Sequence, residues 1–338
     1  MTTALQPASP RQALFDSDDA APALPVCDHY AGVEVRMRKS LQLQAQMGPV
    51  FDVTLDNEDG APVGGEVEHA HLIASLLASP DNQHGRVGVR LLPVGHPRFD
   101  DVLRTVLGAA VRPAYLMLPK PYGVADVELA AKAVAAAGGE SVPLHALIET
   151  HGALREVFGI AAHPRIESLS FGLLDFVSAH RGAIGHGAMS AEGQFDHPLI
   201  IRAKLEIAAA CHAYAKTPSH CVVTEFKDLD ALESAAERAC TLLGYTRMWS
   251  IHPDQIRPIV EAFAPRAAEV DQAIAIITAA QAAGWAPISH RHGKDVRLHD
   301  RASYRYYWQV IERAHRTSFN GGPQLPAELC LGWFGTSV

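Results

Sequence analysis

The feature that most constrains this chain is a strand–helix alternation that starts near residue 40 and repeats to about residue 265. β-rich runs stand at SLQLQAQ (40–46), VFDVTLD (50–56), RVGVRLL (86–92), AYLMLP (114–119), LHALIE (144–149), ESLSFGL (167–173), HCVVTEF (220–226) and MWSIHP (248–253). Segments such as RFDDVLRTVLGAA, VADVELAAKAVAAAG and LDALESAAERACTLLG follow most of them. Their apolar residues recur at i, i+3, i+4 and i+7, the spacing of one helix face. Asp228 and Asp254 stand at or near helix starts, and Gly138 and Gly244 where helices stop. Eight strands in this rhythm predict an α/β fold, a closed parallel TIM (β/α)8 barrel. The first two runs lie too close together for a helix between them, so either that unit is degenerate or 40–46 is not a barrel strand. A doubly wound open sheet is the alternative, and the lack of G-x-G-x-x-G after an early strand counts against it.

Three parts follow from the same pass. Residues 1–30, rich in Ala, Pro, Asp and Ser, predict a flexible arm or a tail that clasps a neighbouring copy. Residues 31–266 hold the barrel, and 267–338 form a helical extension. The extension carries VDQAIAIITAAQAAG and ASYRYYWQVIERAHR, joined by the basic stretch WAPISHRHGKDVRLHD. Tyr304, Tyr306, Tyr307 and Trp308 predict an interface or core stripe. A long loop, 176–197, interrupts the rhythm after the sixth run and leads into a helix with Pro198 near its start.

Composition narrows the partners. A formal net charge of −8 with no basic stripe argues against nucleic acid. No apolar run approaches the ~20 residues that span a bilayer. The N-terminus lacks a basic region followed by an apolar core. Five widely spaced cysteines without C-x-x-C read as reduced thiols, which predicts a cytoplasmic protein.

In a barrel, chemistry gathers at the C-terminal ends of strands. The charged residues there are Asp56, Glu58, Asp59, Arg90, Lys120, Glu149, Asp175 and Glu225, with His252 after the last run. A charge at the end of an apolar strand is costly unless paired or metal-bound. Acids grouped around one arginine suit a hard divalent cation and an anionic substrate. His180, His186 and His197 in the long loop match no helix-borne zinc spacing. His252 reads as a packing and hydrogen-bonding residue.

Six stretches in order carry a family resemblance: LDNEDG (55–60), VRLLP (89–93), LMLPK (116–120), ALIET (146–150), SFGLLDF (170–176) and SIHPDQI (250–256). From about residue 38 to 265 the chain resembles the HpcH/HpaI aldolase and citrate lyase beta-subunit family, which includes malyl-CoA and citramalyl-CoA lyases. The resemblance implies that Glu149 and Asp175 bind Mg²⁺, with Mn²⁺ as a substitute. It implies that Arg90 binds the substrate carboxylate and carbonyl oxygen and acts in catalysis. Glu58 and Asp59 match acids that line the site, and Lys120 matches a substrate-binding lysine. Three departures stand out. The first-strand run R-S-x-L-x-V-P-G, sought at 38–46, lacks its Pro-Gly turn. Leu91 replaces an asparagine, and Leu173 and Leu174 replace the small residue and the acid of G-A-E-D.

The function expected from these residues is Mg²⁺-dependent carbon–carbon cleavage, or formation, of a β-hydroxy acid or its CoA thioester. The rivals are a CoA-free class II pyruvate aldolase, a thioester hydrolase, and a non-catalytic subunit of an acyl-carrier lyase complex. Expected partners are a small carboxylate or acyl-CoA, and further copies of the chain as a homotrimer or homohexamer.

Overall fold

A computed structural model describes residues 9–15, 23–319 and 325–335. Half of the stretch expected to be a flexible arm, residues 1–8 and 16–22, lies outside these. The strands are β1 Cys27–Ala31, β2 Phe51–Asp56, β3 Val87–Arg90, β4 Leu116–Leu118, β5 Leu144–Ile148, β6 Ile166–Phe171, β7 Thr217–His220 and β8 Arg247–Ser250. All pair in parallel with their sequence neighbours. Cys27 of β1 also meets Met248 of β8, which closes an eight-stranded barrel. The expected TIM barrel is therefore present.

Its first strand is not where the apolar pattern put it. Residues 40–46 lie inside the helix Glu34–Met47. Leu41, Leu43 and Ala45 alternate like a strand, yet the buried residues are Met37, Ser40, Leu41 and Gln44, the i, i+3, i+4, i+7 set of a helix. Gln44 is buried because its amide donates to the Phe51 and Arg86 carbonyls. All of the true β1 except Ala31 lies within the stretch 1–30 expected to be an arm. Its residues escaped notice because Asp28 and His29 are polar. Both are buried, with Asp28 paired to Arg247 and His29 bonded to Ser250. Gly32 follows this strand directly, so the glycine of the expected turn is present, with Ala31 before it. Any Cβ on Gly32 would overlap the Gly60 carbonyl, so the loops after β1 and β2 touch through their glycines.

The loop at 176–197 is ordered. The helix Leu173–Ser178 precedes two short 3-10 turns, and Pro198 opens the helix Pro198–Ala213. Two side chains pin this loop. Glu225 accepts the Ala191 N–H at 3.0 Å, and buried Gln194 accepts from Lys204 Nζ at 2.8 Å and Cys221 Sγ at 2.9 Å. Asp228 caps the helix Leu229–Leu243, which ends at left-handed Gly244.

The chain divides into two compact units, Pro22–Ala262 and a second made of Met1–Ala21 with Phe263–Val338. The barrel unit thus begins before residue 31. In the second unit the helix Pro10–Leu14 joins the helices Ala267–Ala282 and Arg301–Thr317 around Leu14, Ile276, Ile277, Tyr304, Trp308 and Ile311. Tyr304 and Trp308 are core, whereas Tyr306 is exposed. The basic joining stretch contains an antiparallel hairpin, Ile288–His292 with Asp295–His299.

Candidate active site

The loop after β2 is built by Asp56. Its carboxylate accepts the N–H groups of Glu58 at 2.9 Å and Gly60 at 2.8 Å, which folds Asn57–Gly60 into a tight turn. The same carboxylate takes a fork from Arg90 on β3, Nε at 2.7 Å and Nη2 at 2.5 Å. Arg90 Nη1 lies 3.1 Å from Glu58. Two of the five guanidinium N–H groups thereby bond Asp56, and Glu58 stands beside the guanidinium as an ion pair. Asp56 is the residue that sequence reasoning missed. It stood in the strand-end set, but only its partner geometry shows that it sets both the loop and the arginine.

Lys120 follows β4 in a left-handed conformation, φ 50°, which is uncommon for a residue with a Cβ. That conformation aims its backbone N–H at Glu149 Oε1, 2.8 Å away. Its ammonium reaches Glu58 at 2.5 Å, Asp59 at 2.7 Å and Asp175 at 3.7 Å. Burial alone would lower this ammonium, but its bonds to Asp59 and Glu58 outweigh burial and hold it above its ordinary value. Glu149 stands at the end of β5, nearly wholly buried. A Cβ on Gly172 would collide with its Oε2, so the glycine of G-x-x-D lets Glu149 sit beside the turn that carries Asp175. Burial, and then the Asp175 charge, push the Glu149 carboxyl up to about 8. Burial likewise raises Glu58.

The structure thus brings all six sequence-predicted residues to one end of the barrel. A cavity of about 280 Å³ there is lined by Asp56, Asp59, Arg90, Glu149 and Asp175, among others. Glu58 and Lys120 do not line it and instead tie its charged side together. The remaining strand-end residues are structural. Glu225 holds the long loop. His252 accepts the Asp254 N–H and stacks on Phe226, and Gln255 links Ile251 to the Val223 carbonyl. His180 is bonded to the Phe176 carbonyl, and among the described residues no three His, Cys, Asp or Glu side chains form a metal cluster.

The donor set fits a magnesium-type ion. Among the described residues, Asp56, Glu58, Asp59, Glu149 and Asp175 meet only the cations Arg90 and Lys120 in this network. Five carboxyl groups stand against two cations, and without a further cation, burial and the Asp175 charge push Glu149 up to about 8. Mg²⁺ is commonly held by one or two carboxylates and water, and Glu149 and Asp175 supply such a pair.

No family model matches the chain. The crystal structure of a citrate lyase from Burkholderia xenovorans LB400 is 54% identical, with a TM-score of 0.80 over 91% of this chain and 96% of that one. An L-malyl-CoA/beta-methylmalyl-CoA lyase of Cereibacter sphaeroides is 28% identical over 285 residues, 79% of this chain and 88% of the relative. Protein CitE of Mycobacterium tuberculosis, solved with magnesium, acetoacetate and coenzyme A, shares the fold at 20% identity, with a TM-score of 0.66 over 86% of this chain and 98% of that one. With its barrel, its ordered strand-end motifs and these relatives, the chain belongs to the citrate lyase beta-like (HpcH/HpaI) family of carbon–carbon lyases.

Proposed function

We propose that this protein is a Mg²⁺-dependent lyase that cleaves, or in reverse forms, a β-hydroxyacyl-CoA thioester bearing a 2-hydroxy carboxylate. The observation that carries this reading is the close acid pair of Glu149 and Asp175, whose charges, among the described residues, only Lys120 and Arg90 offset. Glu149 is buried beside Asp175 with its carboxyl pushed up to about 8, next to an arginine whose geometry is already set by Asp56. Glu149 and Asp175 would hold the metal. When bound, the metal supplies Lewis-acid stabilisation of charge on the substrate's oxygens.

The chain's own residues do the rest. Arg90, held rigid by Asp56, offers N–H groups that Asp56 does not take to the carboxylate and the oxygen where charge develops. Cleavage removes the hydroxyl proton, turns the carbinol carbon into the carbonyl of a 2-oxo acid, and moves the C–C electron pair to the thioester as an enolate. Proton uptake by that enolate completes the reaction, so no oxidant or reductant is required. Asp59 lines the cavity and Glu58 lies behind it at a raised pKa, which makes these two acids the candidate proton carriers. Lys120 bonds both acids and holds them together behind the cavity.

We further propose a cytoplasmic homotrimer or homohexamer. Its five cysteines are free, and no described helix is long and apolar enough to cross a membrane. Light scattering at micromolar concentration tests the assembly, and a monomer rejects it. The chemistry is tested by assaying the full chain against a CoA-ester panel with Mg²⁺ and with chelator. Turnover that survives chelation, or in Glu149→Gln and Asp175→Asn, rejects the metal assignment. No cleavage of any ester rejects the lyase.

A further inference from the structure

Acids hold Arg90 by its N–H groups, and an aromatic ring lies beneath it. The guanidinium carbon stands over the Tyr30 ring, 5.5 Å from its centroid and within cation–π range. Strand alternation puts Tyr30 there. Asp28 and Tyr30 share one face of β1, as Arg247 and Trp249 share one face of β8. Asp28 meets Arg247 at 3.1 Å. Two residues further along each strand, Tyr30 stacks on Trp249, with centroids 4.1 Å apart and planes 24° from parallel. The pair forms one layer of the barrel interior with Met117, Leu147 and Val222, all buried. Tyr30 and Trp249 also line the cavity, so this layer is part of its floor. With Gly32 as the glycine of V-P-G, Tyr30 stands in place of the valine, so the aromatic ring is a feature of this chain and not of the motif.

A carboxylate fork fixes two N–H groups along one edge of a guanidinium, but it leaves the plane free to tilt about that edge. A ring beneath the group restricts the tilt. Resting on the reading that Arg90 serves the substrate, we propose that Tyr30 is a positioning residue. Its ring, braced by Trp249, sets the tilt of the Arg90 guanidinium and so the direction of the N–H groups that Asp56 does not take. The hydroxyl is not the working part. It is buried, and among the described residues none bonds it. Burial, and then the charge of Asp28, hold its proton on well above the ordinary tyrosine range, so the ring facing the cation stays neutral. Phenylalanine would offer Arg90 the same face, and leucine would not.

The test is a double-mutant cycle on the full chain with Mg²⁺, read as condensation of acetyl-CoA or propionyl-CoA with glyoxylate. Tyr30→Leu should lower kcat about tenfold, the scale of a desolvated cation–π contact, with little change in KM. A lysine at position 90 has no plane to set, so in the Arg90→Lys background Tyr30→Leu should cost at most about twofold more. Tyr30→Phe should restore the kcat that Tyr30→Leu loses. Partly and fully fluorinated phenylalanines at position 30 guard against a leucine variant that does not fold. They keep the ring's shape and its stack on Trp249 but drain negative charge from its face, so kcat should fall at each step. Stabilisation by Mg²⁺, read by thermal shift, should match wild type in every Tyr30 variant. An equal cost of Tyr30→Leu in both backgrounds overturns the proposal, because Tyr30 would then act apart from Arg90. So does a raised KM at unchanged kcat, which would mark contact with bound substrate, or a Tyr30→Phe defect as deep as that of Tyr30→Leu, which would put the work in the hydroxyl. Lost stabilisation by Mg²⁺ overturns it too. In these cases the reading of Arg90 stands. If Arg90→Lys keeps full turnover, that reading fails and takes this proposal with it, and if neither pair condenses, the lyase reading fails first.

Discussion

Two charged clusters lie in this barrel, one at the ends of the strands and one deeper inside. The inner one centres on Arg247, wholly buried, 3.1 Å from Asp28 and 2.6 Å from Asp52. Asp52 also takes a fork from Arg86 at 2.7 and 2.9 Å. Thr54 and Tyr115 donate to Asp28 at 2.7 and 3.0 Å. Two acids face two arginines, so the charges of the cluster balance. The cluster at the strand ends has five acids and two cations, with burial and the Asp175 charge pushing Glu149 up to about 8. Balance marks the cluster that holds the fold, and imbalance marks the one that takes a ligand.

The most damaging way to break the comparison is at the inner cluster. Arg247→Met leaves Asp28 and Asp52 buried with reduced pairing, and breaking a buried pair costs about 3–5 kcal/mol. Chemical denaturation should show that loss, and a midpoint near wild type would mean the inner cluster is not structural. At the strand ends the order of effects reverses. Arg90→Lys cannot reproduce the fork on Asp56, and turnover should fall at least ~100-fold while the melting temperature moves less than in Arg247→Met. A destabilised but active Arg90→Lys would make Arg90 a structural residue only.

Magnesium should stabilise wild-type protein by about 2.7 kcal/mol at a hundredfold excess over its dissociation constant. In Asp175→Asn that gain should vanish. An equal gain in both proteins, by thermal shift, would put the ion elsewhere. The smallest effect separates the clusters by sign. Without metal, Glu149→Gln removes a buried carboxyl whose ionised form is disfavoured by burial and by Asp175, and it should raise stability by about 1 kcal/mol, although it abolishes turnover. Lower stability in that variant would show that Glu149 is balanced after all.

The residue pattern alone carried a good deal. The barrel class, the strands near 50–56, 86–92, 114–119, 144–149, 167–173 and 248–253, and the six charged residues of the candidate site were legible in it. They were legible because outward strand faces are apolar at period two and helices at 3.6, and because barrel chemistry falls at strand ends. Only the tertiary structure decided the rest. Strand β1 contains Asp28 and His29, whose burial depends on Arg247 and Ser250 more than 200 residues away. Asp56 became the anchor of Arg90 only once β2 and β3 were paired, and Lys120 turned toward Glu149 only through a left-handed backbone. Hydrophobic periodicity reports which residues avoid water. It is silent about which distant charge makes a buried polar residue tolerable, and that pairing is what separates the inner cluster from the site.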